Sequence, residues 1–263
     1  MSNIYYGCIN TVNGPTITRP VLDGNWNTVG NWYLTLGSGP TSCCCAIAAT
    51  PAGRVPESGD SVVMHGGSLT ASQNVISTGP SGGWAGPISW DTTNGVNPSC
   101  QIDAGNYSGT VTIAPQSVNG VSATLQSGIT GGNFSGTVNL TGNSGNGSAS
   151  KFQAGIFGGN FSGTVNLTGG DSAIPSNTCG YGIFGGTFTG TVTRTQVQTI
   201  GDKINYITGG TYEPTCSLAF ASPDSVNPEG LPTDPGFALG GGSFAPVITL
   251  TGLPDILGTG LPL

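Results

Sequence analysis

Charge is what this chain has least of. Five basic and twelve acidic residues make up 6% of its 263 positions, where an ordinary soluble domain carries roughly a quarter. With five cations and a net charge of −7, a phosphate-tracking groove has nothing to be built from, so nucleic acid is not expected as a partner. A Ser-His-Asp set could be built only around His65, the single histidine. His65 stands at a strand-to-Gly-Gly turn, where a structural role is expected. No phosphate-cradling glycine loop leads into a helix, and no run approaches the ~20 apolar residues of a membrane span. The opening MSNIYYGCIN lacks a basic region and an apolar stretch, so no secretory signal is expected and synthesis in the cytoplasm is.

Glycine and proline are abundant instead, 47 and 18 residues, close to a low-complexity composition. Registered apolar residues argue against disorder, because a disordered chain has no use for them. Six copies of one pattern recur: an aliphatic residue, an aromatic five positions on, Gly or Pro two further, then apolar residues four and six past the aromatic. The aromatics are Tyr107, Phe134, Phe161, Phe188, Tyr212 and Phe244, with spacings of 27, 27, 27, 24 and 32. Ile102, Ile129, Ile156, Ile183, Ile207 and Leu239 precede them. Val111, Val138, Val165, Val192, Cys216 and Ile248 follow, then Ile113, Leu140, Leu167, Arg194, Leu218 and Leu250, a series that only Arg194 breaks.

Segments such as GTVTI and GTVNLTG alternate apolar with polar and are rich in β-branched residues, so they read as strands. Gly-Gly pairs at 131, 158, 185 and 209 suit corners that need positive φ or close approach. A third side is expected to carry Leu125, Phe152, Tyr181 and Ile204. Three short strands per repeat predict an all-β, single-stranded parallel β-helix of about six rungs, each 24–32 residues long. Coils about 4.8 Å apart would put like residues in contact and build an aromatic ladder. Outward Thr110, Thr112, Thr137, Asn139, Thr164, Asn166, Thr191 and Thr193 would form a flat uncharged face, suited to subunit contact or, by analogy of fold alone, to ice.

Residues 1–100 are expected to form an N-terminal cap or attachment region with the first irregular rungs, 101–251 the repeats, and 252–263 a C-terminal cap or docking tail. A degenerate copy is placed at Met64, Gly66, Gly67, Leu69 and Val75. The tail reads GLPDILGTGLPL, and its prolines would discourage further strand pairing. Trp26, Asn31 and Trp32, with Pro56, Gly59, Asp60 and Val62, resemble the opening of β-helical proteins of tailed-phage virions, decoration or fibre type, also met in bacterial surface β-solenoids. The resemblance covers residues 24–64. It implies that the tryptophans pack over the helix end, that the Pro-x-x-Gly-Asp turn leads into the first rung, and that there are no catalytic residues. The adjacent Cys43, Cys44 and Cys45 depart from that pattern.

Seven cysteines are an odd number. Cys216 reads as a small buried hydrophobe. A disulfide linking Cys43, Cys44 or Cys45 to Cys8 or Cys100 is one outcome in an oxidising medium. Zinc held by these thiols or His65 would lack the usual ligand spacing. A glycan hydrolase or lyase would need paired carboxylates, or a carboxylate with a cation, on one face. The candidates are Asp103, Asp171, Asp202, Glu213, Lys151, Arg194 and Lys203, with Asp202 and Glu213 able to share a side. Asp224, Glu229 and Asp234 read as solvated loop charges. No catalytic, cofactor-binding or metal-binding residues are assigned. The expectation is a non-enzymatic structural protein of a phage virion, a head decoration, head fibre or tail fibre. It would assemble as a homo-oligomer, a trimer by preference, with other virion proteins and in some cases a host surface glycan as partners. A bacterial adhesin module and a tailspike-like glycan-binding or depolymerising protein are the alternatives.

Overall fold

The computed structural model describes residues 2–6, 23–35, 50–64, 74–90, 100–113, 125–141, 152–168, 179–195, 205–207, 209–221, 243–244 and 247–251. They form a parallel β-helix. Each coil contributes a strand ending in the pattern's Ile, a two-residue strand ending in the aromatic, and a strand carrying the Val and Leu positions. In one coil these are Leu125–Ile129, Asn133–Phe134 and Thr137–Thr141. Like strands stack into two six-stranded sheets and one of eleven. All three strands are described for the coils of Tyr107, Phe134, Phe161, Phe188 and Tyr212. For the sixth, Ser243–Phe244 and Val247–Thr251 extend their ladders, while Leu239 lies outside the described residues.

Register follows the 27-residue spacing. Phe134 pairs with Tyr107 and Phe161, Ile129 with Ile102 and Ile156, and Val138 with Val111 and Val165. All of these side chains are buried. Along the interior the rings stack at 5.0, 5.0, 4.9 and 4.7 Å from Tyr107 to Tyr212. Each such side chain stabilises the fold by about 1.5–3 kcal/mol, so the total grows with every coil added. At the corners the two glycines have different tasks. A Cβ on Gly158 would overlap the Thr130 carbonyl of the coil before, whereas Gly159 turns at φ +100.

Four sequence expectations are corrected by register. Leu125 stands beside Phe152, Phe152 beside Cys179 and Tyr181 beside Asn205, while Ile204 lies outside the described residues. Leu125, Phe152 and Tyr181 do not form a third, separate side: they lie in the strands that Ile129, Ile156 and Ile183 end. In the Tyr212 coil a turn closed by Cys216 N–H on the Glu213 carbonyl adds two residues, so Leu218 stands beside Val192 and Phe220 beside Arg194. Cys216 is buried in that turn rather than in the valine column, and burial pushes its thiol pKa up. Met64 stands in the long sheet beside Tyr6 and Trp90, not in the isoleucine column of the degenerate copy.

That first coil is built from other residues. Ile76 stands beside Ile102, Trp84 bridges to Tyr107, and Ile88 stands beside Val111. From Trp84 onward the offsets are regular, Gly86 at two, Ile88 at four and Trp90 at six. Only the step from Ile76 to Trp84 is lengthened. Beyond it, Val62 and Ile4 continue the valine column. Trp32–Thr35 then pairs antiparallel with Asn3–Tyr6 and with Thr50–Pro51, ending the parallel stack. Trp26 lies over the aromatic column, 5.3 Å from Trp84, and Trp32 Nε1–H donates to the Trp26 carbonyl at 2.8 Å.

Candidate functional site

The charged residues come to few places. Arg54 grips the carboxylate of Asp60 with two N–H donors, at 2.6 and 3.2 Å, and Glu57 N–H donates to the same carboxylate at 2.9 Å. The Arg54 bond, with the Glu57 amide, holds the Asp60 carboxyl below its ordinary range. Asp23 accepts from Thr28 Oγ1, Asn31 Nδ2 and the Asn25 amide at 2.7, 2.7 and 2.9 Å. These bonds, Thr28 first, lower its pKa. Both carboxylates thus accept from groups within eight residues of them, the arrangement that fixes a turn.

Along the repeats, Asp103 and Glu213 stand four coils apart in ladder order, roughly 19 Å along the axis at 4.8 Å per coil. That exceeds the roughly 5–9.5 Å between the carboxylates of glycoside hydrolases. Arg194 is buried in the leucine column between Leu167 and Phe220. Asp171, Asp202, Lys151, Lys203, Asp224, Glu229 and Asp234 lie outside the described residues, as do His65, Cys8, Cys43, Cys44 and Cys45 and the 252–263 tail. Cys100 is buried in the coil interior. Among the described residues no three His, Cys, Asp or Glu side chains converge as a metal would require, and no helix is long and apolar enough to cross a membrane. Burial pushes the Tyr6, Tyr107 and Tyr212 phenols well above their ordinary range.

The outer surface is organised by columns. On the long sheet Thr110, Thr137, Thr164 and Thr191 stand in register, and Asn166 Nδ2 donates to Asn139 Oδ1 at 2.9 Å. On the short-strand side a second amide ladder runs through exposed side chains. Asn133 Nδ2 donates to Asn106 Oδ1, and Asn160 Nδ2 to Asn133 Oδ1, each at 2.9 Å. Beside it a groove of about 410 Å³ is lined by Asn106, Ser108, Asn133, Ser135 and Ser162, with Trp84 at its head. A second groove, about 490 Å³, lies between Trp26, Trp84 and the turn at Pro56–Asp60.

Across the corner from the amide ladder, Phe157 and Phe184 stack at 5.0 Å and 12°, both half-buried. Sequence reasoning missed this pair and the Asn106, Asn133, Asn160 column. Both were available in the 27-residue spacing: each Phe follows a pattern Ile, and each Asn precedes a pattern aromatic. No protein-family model, curated protein or solved structure matches the chain.

Proposed function

We propose that this chain is a non-enzymatic structural protein of a phage virion, a decoration or fibre component that works as one copy among several. The observation that supports it most is the pairing of a column-packed β-helix with outer faces whose described residues, from 125 to 195, carry hydroxyls and amides and no exposed ionisable charge. Such faces fit subunit packing, where burying unpaired charge would be costly. The Trp26, Trp32 and Pro56–Asp60 opening, shared in outline with β-helical virion proteins, supports the virion in particular.

Two measurements test the reading. Light scattering on the purified chain at micromolar concentration is expected to give a closed homo-oligomer, a trimer by preference, whose interface exceeds roughly 1,000 Å². Deleting residues 252–263 is expected to lower that mass while circular dichroism stays β-rich. Immunogold microscopy on phage particles carrying the gene product should label the head or tail. A stable monomer, unlabelled particles, or release of reducing sugar from host glycan would each overturn it.

A further inference from the structure

We propose that the corner bearing Phe157 and Phe184, with the adjoining Asn106, Asn133 and Asn160 ladder, is a contact site for an uncharged glycan chain. Four observations lead there, none of them needed for the assembly reading above.

The first is the placement of the rings. Ile156 and Ile183 point into the core, so the next residues, Phe157 and Phe184, stand outside it at the corner. Phe184 reaches back over the strand before it, its Cε2 3.0 Å from where a Cβ on Gly155 would be. Two nearly parallel rings in contact have planes about 3.5–4 Å apart. Centroids 5.0 Å apart therefore mean rings slid past one another by roughly 3 Å. Each leaves part of a face uncovered, the surface on which the C–H side of a sugar ring can lie.

The second observation is the hydrogen-bonding capacity beside the rings: Asn160 stands three residues beyond Phe157, the ladder continues into the two coils before it, and Thr187 holds the same place in the Phe184 coil. Within the ladder an Asn spends one N–H on its neighbour, which leaves a second N–H and acceptor capacity facing outward. Hydroxyl groups of a sugar both donate and accept, so amides and the serine hydroxyls of Ser108, Ser135 and Ser162 complement them. Third, the charge matches: among the described residues of coils 100–113, 125–141, 152–168 and 179–195 the ionisable charges are the buried Arg194 and the exposed Asp103, whose carboxylate stands at the same corner beside Thr130, so a neutral polymer is suited and an anionic one meets a like charge and no described counter-charge. Fourth, the amides and rings repeat at the coil spacing, about 4.8 Å, close to the advance of one sugar in an extended chain. A second copy of this chain, the other occupant of a half-buried aromatic pair, would leave the outward amides of the ladder with less to bond.

Native electrophoresis of the full chain through gels containing dextran, mixed-linkage β-glucan or galactomannan tests this, with polygalacturonate as the anionic control. At least one neutral polymer is expected to retard the protein and polygalacturonate is not. Phe157→Leu and Phe184→Leu keep apolar cover over the glycine strand but remove the ring, and each should weaken apparent affinity about tenfold. Asn133→Ala, on an exposed side chain, should weaken it a few-fold with an unchanged circular dichroism spectrum. Failure of all three neutral polymers to retard, equal retardation by polygalacturonate, or undiminished binding in the Leu variants would overturn the proposal. So would a lowered oligomer mass in those variants, which would assign the pair to a neighbouring copy.

Discussion

The coils from 125 to 195 and the N-terminal end from 2 to 90 solve opposite problems with the same sheets. In the coils most core positions meet their own kind: Phe134 on Phe161, Ile129 on Ile156, Leu140 on Leu167. Order comes from translation, and no single contact is special. At the N-terminal end only the valine column goes on repeating, through Ile88, Val62 and Ile4. Four tryptophans, the Arg54–Asp60 pair and the Asp23 turn are each used once, because the stack must stop there and an uncovered end would template further strands. Repetition builds length, whereas closure requires individual contacts.

That contrast can be broken at several points. The largest effect is expected from Gly163→Ala, because the new methyl would overlap the Gly136 carbonyl oxygen inside the stack. A loss of more than about 4 kcal/mol, or failure to fold, should appear in urea denaturation. Phe161→Ala and Trp26→Ala should each cost about 3–5 kcal/mol, since both side chains are buried. Hydrogen exchange distinguishes them. Phe161→Ala removes the ring between Phe134 and Phe188 and should loosen the coils on both sides. Trp26→Ala should loosen 23–35, 74–90 and the Tyr107 coil that its ring touches, and not the coils from 125 onward.

A smaller effect concerns acid. Asp23 and Asp60 have folded pKa values below the unfolded value of about 3.9. Their stabilisation is therefore fully present above about pH 4 and is lost as pH falls through the folded values. Exchange below pH 4 should rise at the N-terminal end and not in coils 125–195, where the described residues include no carboxylate. Asp60→Asn should remove the Arg54 part at neutral pH, a small downward shift of the urea midpoint, because the Arg54 side of that pair is open to solvent. Uniform acid sensitivity along the chain would end the distinction.

The same division explains what could be read from the sequence. The aromatic, isoleucine and valine columns were legible because spacing is preserved, and spacing becomes register directly when every coil has one length. Reading failed where a corner changed length. The stretch between Ile76 and Trp84 hid a coil whose later offsets are regular, and the Glu213–Cys216 turn shifted the Tyr212 coil by two. Both insertions occupy corners, where the interior is indifferent to extra residues, so hydrophobic periodicity carries no trace of them. The corner pair Phe157 and Phe184 escaped for a different reason: an aromatic directly after a core isoleucine looks like more core, and only the alternation of the strand puts it outside.

The junction between the two regions has a mechanical meaning. Backbone bonds between coils run along the axis, so under axial tension the coil boundaries act in series and the weakest sets the breaking force. Between 125–141 and 152–168 the long-sheet ladder runs from Thr137 to Thr141 and the isoleucine ladder from Leu125 to Ile129. Between 74–90 and 100–113 it narrows to Ile88 and Ser89 in the long sheet, Asn74 to Ile76 in the isoleucine ladder, and the single bridge of Trp84 to Tyr107. The next boundary is narrower still among the described ladders, Val62 to Met64 on Ile88 to Trp90 with the single bridge of Asn25 to Thr78, so a pulled molecule should part on the N-terminal side of Tyr107, leaving the column from Tyr107 onward intact.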